Sequence, residues 1–398
     1  MKSKKSFMKI AILNAKYNPN LGDGAIAECL EHELAKRLPD SEIFSVDISG
    51  SEDYGGRTSM TPDNLVSTFS LMPEFLQKTI KFFLRALLLR RRHFRRWQEQ
   101  LKDCDAIIIG GGQLFMDSQF YFPTRICMTV KAAPKGVPLF VYAVGVSKNF
   151  TRTGKRLFEQ AFQHGALEYV SVRDFQSQKN WKQHFPNRVS CTNLDPALLA
   201  KETYGVKKNN IVRNKHIALG VSDIINLETH ADNPDDVVGK KADFYIKLIT
   251  LLLEEDYAVS LFTNGGDQSY LDKLISFLEN HEEVLKKLHI MRRALKPSEL
   301  IEQIQSADVI VSHRLHANIL AYAYQIPSVG LMCDQKVASF FDVTKRQDFL
   351  IREDQPHLVL EKVKEALRVG IDEDNYKQVI RNAHNGIDAL TLELQKLS

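Results

Sequence analysis

The densest set of chemically active side chains lies in one run, Ser312-His313-Arg314-Leu315-His316. It holds two imidazoles, a guanidinium and a hydroxyl. Histidine titrates near neutral pH, so it suits general acid or base work. A lone histidine is more often structural, but here Arg314 stands two residues away and can fork onto a carboxylate or phosphate. Arg173-Asp174 offers a second such fork, set against a plain structural ion pair. Asn193-Leu194-Asp195-Pro196 reads equally well as a capped turn. Two glycine turns add to these. In Asn20-Leu21-Gly22-Asp23-Gly24 the glycines permit close ligand approach, and the helix start behind them favours an anion. The plainer alternative is Asp23 as a helix cap. Gly110-Gly111-Gly112-Gln113 is neither GxGxxG nor a P-loop, so it argues weakly for nucleotide phosphate. Its alternative is close helix–strand packing. No HExxH or comparable ligand spacing occurs, so no metal is expected.

These turns must be positioned by the elements before them. β-rich runs at 10–13, 43–46, 106–109, 139–144, 169–172 and 189–191 alternate with helical stretches at 25–37, 155–164 and 175–183. Several of the runs are continuously apolar, which marks strands covered on both faces of a parallel sheet. After a polar stretch, 201–215, the alternation restarts. Strands are expected at 216–221, 258–262, 288–291, 309–311 and 328–332, with helices between them. Two more helices close the chain. The expectation is therefore α/β: two Rossmann-like, doubly wound domains facing a cleft, over 1–205 and 206–352, followed by C-terminal helices over 353–398. In such sheets ligands bind beyond the carboxyl ends of strands, which is where every turn named above falls.

The chain has 398 residues, 44% hydrophobic and 26% charged, as in ordinary globular proteins. The apolar run near its start is too short for a secretory signal, and no run is long enough to span a bilayer as a helix. Five scattered cysteines form no CxxC pair, which fits a reduced, cytoplasmic protein. Net charge is +4, yet residues 75–98 alone carry eight Lys and Arg and no Asp or Glu. Pro73 can start a helix there, with an apolar stripe through Leu76, Ile80, Phe83, Leu87 and Phe94. Arg90, Arg91, Arg92, Arg95 and Arg96 crowd its far end. Two readings stand: a core-packed helix with a solvated basic end, or peripheral contact of the 73–97 stretch with the anionic inner membrane face. Nucleic acid is not an expected partner, since the rest of the chain is net acidic and carries no such motif.

In order, the motifs Asn20-Leu21-Gly22-Asp23, Gly110-Gly111-Gly112, Val172-Arg173-Asp174, Asp195-Pro196-Ala197, Arg314-Leu315-His316-Ala317 and Asp334-Gln335-Lys336 resemble the polysaccharide pyruvyl transferases. Two positions depart from the family pattern: Cys333 stands where tyrosine is frequent, and Asn14 where the first turn usually has glycine. The resemblance implies a fold similar to the glycosyltransferase-B type and transfer of pyruvyl from phosphoenolpyruvate to two sugar hydroxyls as a ketal. No cofactor is implied. The acceptor would be a sugar or lipid-linked glycan in polysaccharide biosynthesis. Arg173, Arg314, Leu315 and His316 would bind phosphoenolpyruvate, with His316 as catalytic acid or base. Asn20, Gly22, Asp23, Gly111, Gly112, Gln113 and Lys336 are further substrate-binding candidates. Rival readings are a glycosyltransferase with a nucleotide-sugar donor and a non-catalytic glycan- or membrane-binding protein of the same fold.

Overall fold

The computed structural model describes residues 7–55, 93–117, 120–207, 215–222, 234–352 and 355–397, with only the backbone over 234–241. The first half contains β1 (Lys9–Asn14), α1 (Leu21–Arg37), β2 (Glu42–Asp47), α2 (Phe94–Leu101), β3 (Ala106–Gly110) and α3 (Tyr121–Ala132). It continues with β4 (Pro138–Val144), α4 (Arg152–His164), β5 (Ala166–Val172), α5 (Phe175–His184) and β6 (Cys191–Thr192). The second half runs α6 (Ala200–Tyr204), β7 (His216–Gly220), α7 (Pro234–Glu254), β8 (Ala258–Phe262), α8 (Gln268–Leu278), α9 (Glu282–Leu285) and β9 (His289–Ile290). Then come α10 (Pro297–Gln305), β10 (Val309–Ser312), α11 (Leu315–Ala323), β11 (Ser328–Leu331), α12 (Gln335–Val343), β12 (Leu350–Ile351), α13 (Pro356–Val369) and α14 (Glu373–Gln395).

The strands form two all-parallel, six-stranded sheets. Their orders are β2-β1-β3-β4-β5-β6 and β12-β11-β10-β7-β8-β9. The expected doubly wound α/β architecture is thus present twice. In the first sheet the winding reverses between β1 and β3, and in the second between β7 and β10. Ligand sites in open sheets gather at such reversals. The apolar runs explain the sheets: all five residues of β3, AIIIG, are buried, because helices cover both faces. Helix starts are fixed by side-chain caps. Thr151 accepts from the Gly154 N–H, Asp174 from Ser177, and Asp334 from Lys336 and Val337. The core of the first sheet includes the fully buried Trp97 and Trp181 and a stacked aromatic group of Phe115, Phe158 and Phe162. Each such side chain contributes about 1.5–3 kcal/mol of burial.

The chain divides into two compact units differently from the expected 1–205 and 206–352. Unit 1 comprises Met1–Asn18, Ile26–Pro196 and Ala383–Ser398; unit 2 comprises Pro19–Ala25 and Ala197–Asn382. Expected third-segment residues therefore split, and both α1 and α14 carry residues of both units. The reason is packing. In unit 1, Ile387, Leu390 and Leu394 are fully buried, and the Asp388 carboxylate accepts from Arg37 Nε at 2.6 Å. Asn14, where a glycine was expected, donates from its amide to Ser45 Oγ at 2.7 Å and ties β1 to β2.

The basic stretch is only partly within the described residues: the helix expected from Pro73 lies, as far as residue 92, outside them, and so do Arg90, Arg91 and Arg92. The described end, α2, differs from a free basic face. Trp97 is buried and donates to the Asp47 carbonyl, while Arg96 donates to the Gly50 carbonyl and pairs with Glu52 at 3.0 Å. Arg95 is exposed. Among the described residues no helix is long and apolar enough to cross a membrane.

Candidate active site

The reversal point of sheet 2 is built from two strand ends. β10 ends at Ser312, and the next two residues, His313 and Arg314, turn into α11. Asn318, one turn into that helix, donates its amide to the carbonyls of Ser312 and Arg314, at 3.1 and 2.9 Å. The Ser312 hydroxyl accepts from the Arg314 N–H at 3.0 Å. The turn is therefore locked from within. His313 is buried, with Nδ1 at 3.2 Å from the Tyr245 hydroxyl. Cys333, the departure after β11, donates its thiol to the His313 carbonyl at 3.2 Å. Burial, with Asp334 beside it, pushes that thiol up to about 12, so it stays protonated at neutral pH.

Arg314 and His316 leave this turn in the first residues of α11. The Arg314 fork closes on Asp267, with Nε donating to Oδ2 at 2.8 Å and Nη2 donating to Oδ1. Asp267 is 3% exposed and the arginine 27%, so the pair has one buried side and one open side. Burial works against the charged guanidinium, but the hydrogen bond and charge of Asp267 outweigh it and hold Arg314 above its ordinary range. Leu315 is buried beneath the turn and His316 is 7% exposed.

The first glycine motif belongs to this same place. Pro19–Ala25 is part of unit 2, and a Cβ on Gly22 would stand 2.5 Å from Cβ, Cγ and Nδ1 of His316. Glycine is required there because the helix start is laid directly on the imidazole. The Leu21 N–H donates to the Asn264 carbonyl at 2.9 Å, which fixes the segment on the loop after β8. Asn20 donates to the Asp23 carboxylate at 3.3 Å. Asp23 lies within the first turn of α1 rather than at the cap, and its charge acts on Arg314. Lys336, in the first turn of α12, is held by Asp334 at 3.1 Å and is 37% exposed. The structure thus brings Gly22, Asp23, Arg314, Leu315 and His316 together within unit 2.

Arg173, Gly111, Gly112 and Gln113 lie in unit 1. Arg173 follows β5 and is 7% exposed, with Asp174 and Asp195 each at 3.6 Å and Gln113 Oε1 at 3.1 Å from Nη2. Gln113 also donates to Ser147. Gly111 has φ +75, and a Cβ there would collide with Ile26; one on Gly110 would meet Leu30 at 2.8 Å. For these two glycines the helix-packing alternative accounts for the residue type. Gly112 also has positive φ, and its carbonyl accepts from the Gly145 N–H at 2.8 Å.

Two contributors escaped the sequence reading. Thr263-Asn264-Gly265-Gly266-Asp267 also follows a strand, β8, and Gly265 at φ +98 lets the loop approach the Pro19 carbonyl. Its Gly-Gly-Asp before a helix was the available signal. Gly145 is the other: a Cβ there would meet Gln113 and stand 2.9 Å from Arg173 Nη2.

A sequence model of the family described as polysaccharide pyruvyl transferase matches residues 20–335 of the chain. No curated protein sequence matches it. Among solved structures, the chain is similar to the UDP-GlcNAc 2-epimerase of Methanocaldococcus jannaschii, with TM-score 0.56, 11% identity, and coverage of 97% of this chain and 99% of that one. It is also similar to the UDP-GlcNAc 2-epimerase of Neisseria meningitidis bound to UDP-GlcNAc, with TM-score 0.53, 10% identity, and coverage of 98% and 100%. At such identity these likenesses establish the fold, of glycosyltransferase-B type, and leave the chemistry to the residues.

Proposed function

This chain belongs to the polysaccharide pyruvyl transferase family, and we propose that it moves a pyruvyl group from phosphoenolpyruvate to two hydroxyls of one sugar, closing a cyclic ketal and releasing phosphate. The observation that carries this reading is the placing of Arg314 and His316 on one locked turn, with Asp267 holding the guanidinium.

Phosphoenolpyruvate carries about −3 at neutral pH, from its carboxylate and phosphate. The N–H groups that open α11, the outward side of Arg314 and Lys336 are the cationic or dipolar groups that would receive it. The first step adds a proton to the methylene carbon, which makes the neighbouring carbon electrophilic. A sugar hydroxyl attacks that carbon and the C–O bond to phosphate breaks. The second hydroxyl then closes the ring. Two hydroxyl protons are consumed, one ending on the new methyl group and one on the departing phosphate. His316 is the group assigned to move protons, as acid toward the methylene and as base toward a hydroxyl. Gly22 against its ring restricts the imidazole to one orientation, which is what a directed proton transfer needs. The acceptor is assigned as a sugar of a glycan or lipid-linked glycan precursor.

The test is incubation with phosphoenolpyruvate and a panel of sugars, reading phosphate release and a product heavier by one ketal-linked pyruvyl group. His316→Ala should lower turnover by ~10²–10⁴-fold with much smaller loss of phosphoenolpyruvate affinity. Near-normal turnover in that variant removes His316 from the chemistry. Binding of a nucleotide sugar in place of phosphoenolpyruvate would sink the reading as a whole.

A further inference from the structure

Unit 1 carries a charge asymmetry that the candidate site leaves unused. The chain's net charge is +4, yet residues 120–190 alone hold eleven Lys and Arg against three Asp and Glu, or +8. This segment supplies α3, α4 and α5, whose buried side chains share one apolar cluster on one face of sheet 1. On the opposite face Leu30 of α1 packs at Gly110, and Gly386 of α14 lies at Tyr142. The unit 1 parts of those two helices, residues 26–37 and 383–398, hold five acids against three bases. The two faces of the unit therefore differ in sign.

The basic charge is at the surface. On α5, Phe175, Lys179 and Lys182 recur at spacings of four and three, opposite the buried Ser177, Asn180, Trp181 and His184. On α4, Arg152 and Arg156 stand opposite the buried Phe158, Ala161 and Phe162. Phe162 joins the two helices, its ring 5.9 Å from Trp181 and 5.4 Å from Phe185. The loop before α4 brings Lys148 alongside α5. There the Asn180 amide donates to the Val146 carbonyl at 2.8 Å, and His184 Nε2 lies 3.1 Å from the Ser147 carbonyl. Lys148, Arg152, Arg156, Lys179 and Lys182 are all exposed, and none has an ion-pair partner among the described residues. The acid closest in sequence on α4, Glu159, faces Lys155 at 4.0 Å. Two apolar side chains flank these cations: Phe175 is 77% exposed and Val189, beyond the end of α5, is 93% exposed. A dissolved polyanion would answer the charge but not the apolar groups. An anionic bilayer answers both, with headgroups for the cations and the acyl boundary for Phe175 and Val189.

We propose that the outer surface of α4 and α5 docks on anionic phospholipid. The surface lies wholly within unit 1 and is independent of the pyruvyl-transfer reading. In the test the full chain is sedimented with phosphatidylglycerol vesicles, and with phosphatidylcholine vesicles for comparison. Salt is set at about 0.1 M and then about 1 M, which shortens the Debye length from about 10 Å to about 3 Å. Binding to the anionic vesicles alone, weakened by salt, is expected. The combined variant Lys148→Gln, Arg152→Gln, Arg156→Gln, Lys179→Gln and Lys182→Gln leaves residues 73–97 intact, so it isolates this surface. Each cation is worth roughly fivefold at an anionic membrane, so the variant should bind at least ~50-fold more weakly. Its thermal unfolding should match the parent, since all five side chains are exposed. Phe175→Trp reports where the membrane lies. Trp97 and Trp181 are buried, so quenching by brominated acyl chains is expected from the new indole. Equal binding to phosphatidylcholine, unchanged binding by the Gln variant, or an unquenched indole overturns the docking surface. Tighter binding of a short DNA duplex than of the anionic vesicles overturns it in favour of nucleic acid.

Discussion

The two units place an arginine at the carboxyl end of a parallel strand, but they surround it differently. Arg314 of unit 2 has one partner, Asp267, in a two-bond fork, and keeps 27% of its side chain exposed. Arg173 of unit 1 is 7% exposed and is flanked by two carboxylates at 3.6 Å and by Gln113. A fork locked on one side and open on the other can meet a ligand without giving up its support. A fork enclosed by two acids balances their charge and has less surface left for a ligand. Residue type and strand-end position are the same in both; the exposure of the side chain and the closeness of the carboxylates differ.

Substitution of the arginines tests this contrast most strongly. Arg173→Ala leaves Asp174 and Asp195 buried without their shared cation, and loss of one partner of a buried pair costs about 3–5 kcal/mol. Thermal unfolding should move down accordingly. Arg314→Ala also takes the cation from the buried Asp267 and should lower thermal unfolding too, but in addition it should weaken phosphoenolpyruvate binding by roughly 2–5 kcal/mol, read by calorimetry. A well-folded Arg173→Ala protein with weakened phosphoenolpyruvate binding would support the donor role that the family resemblance implies for this residue.

The glycines beside each arginine site sharpen the contrast. Gly22→Ala drives a methyl group into the stem of the His316 ring, which cannot swing away, so about 1–3 kcal/mol of strain and a fall in turnover are expected. Gly145→Ala meets only the far ends of Gln113 and Arg173, which can yield. Its cost should be the smaller of the two in denaturant titration, with turnover kept. Equal effects would show that His316 is not held by contact with Gly22.

The smallest effect is expected from protons. His184 of unit 1 stacks on Phe150 at 3.8 Å, and its Nε2 lies 3.1 Å from the Ser147 carbonyl. Burial lowers its pKa, against weaker opposing help from the Ser147 and Lys148 backbone. The native state therefore prefers the neutral ring. Its contribution to stability is full above the unfolded value, about 6.5, and is lost as pH falls through the lower folded value. Unfolding followed from pH 7.5 downward should show this loss in the parent and not in His184→Phe. Identical pH profiles would remove His184 as the cause.

The sheets were legible because buried parallel strands leave continuous apolar runs such as Ile107-Ile108-Ile109, and that signal is local. Helix α3 was not, because it opens at Phe120 in left-handed backbone without a capping side chain and buries residues around much of its surface. The two-residue strand β12 is too short to show a period. The site divided along the same line. His316 and Arg314 stood out through their own chemistry, five residues dense. Asp267 did not, since its part depends on a partner 47 residues away. The seat of Gly22 on His316 joins residues 294 positions apart (316 minus 22), and no short-range pattern encodes such a meeting.

The split membership of α14 bears on how unit 1 is closed. Ile387, Leu390 and Leu394 of its core and the Asp388 partner of Arg37 are separated from the rest of the unit by residues 197–382. Unit 1 is therefore discontinuous in sequence, and its parts meet only by closing a loop that contains most of unit 2. The entropy of that closure grows only slowly with loop length, so the long interruption is tolerated. Removal of residues 383–398 would remove core side chains from a unit whose remaining residues all lie before residue 197.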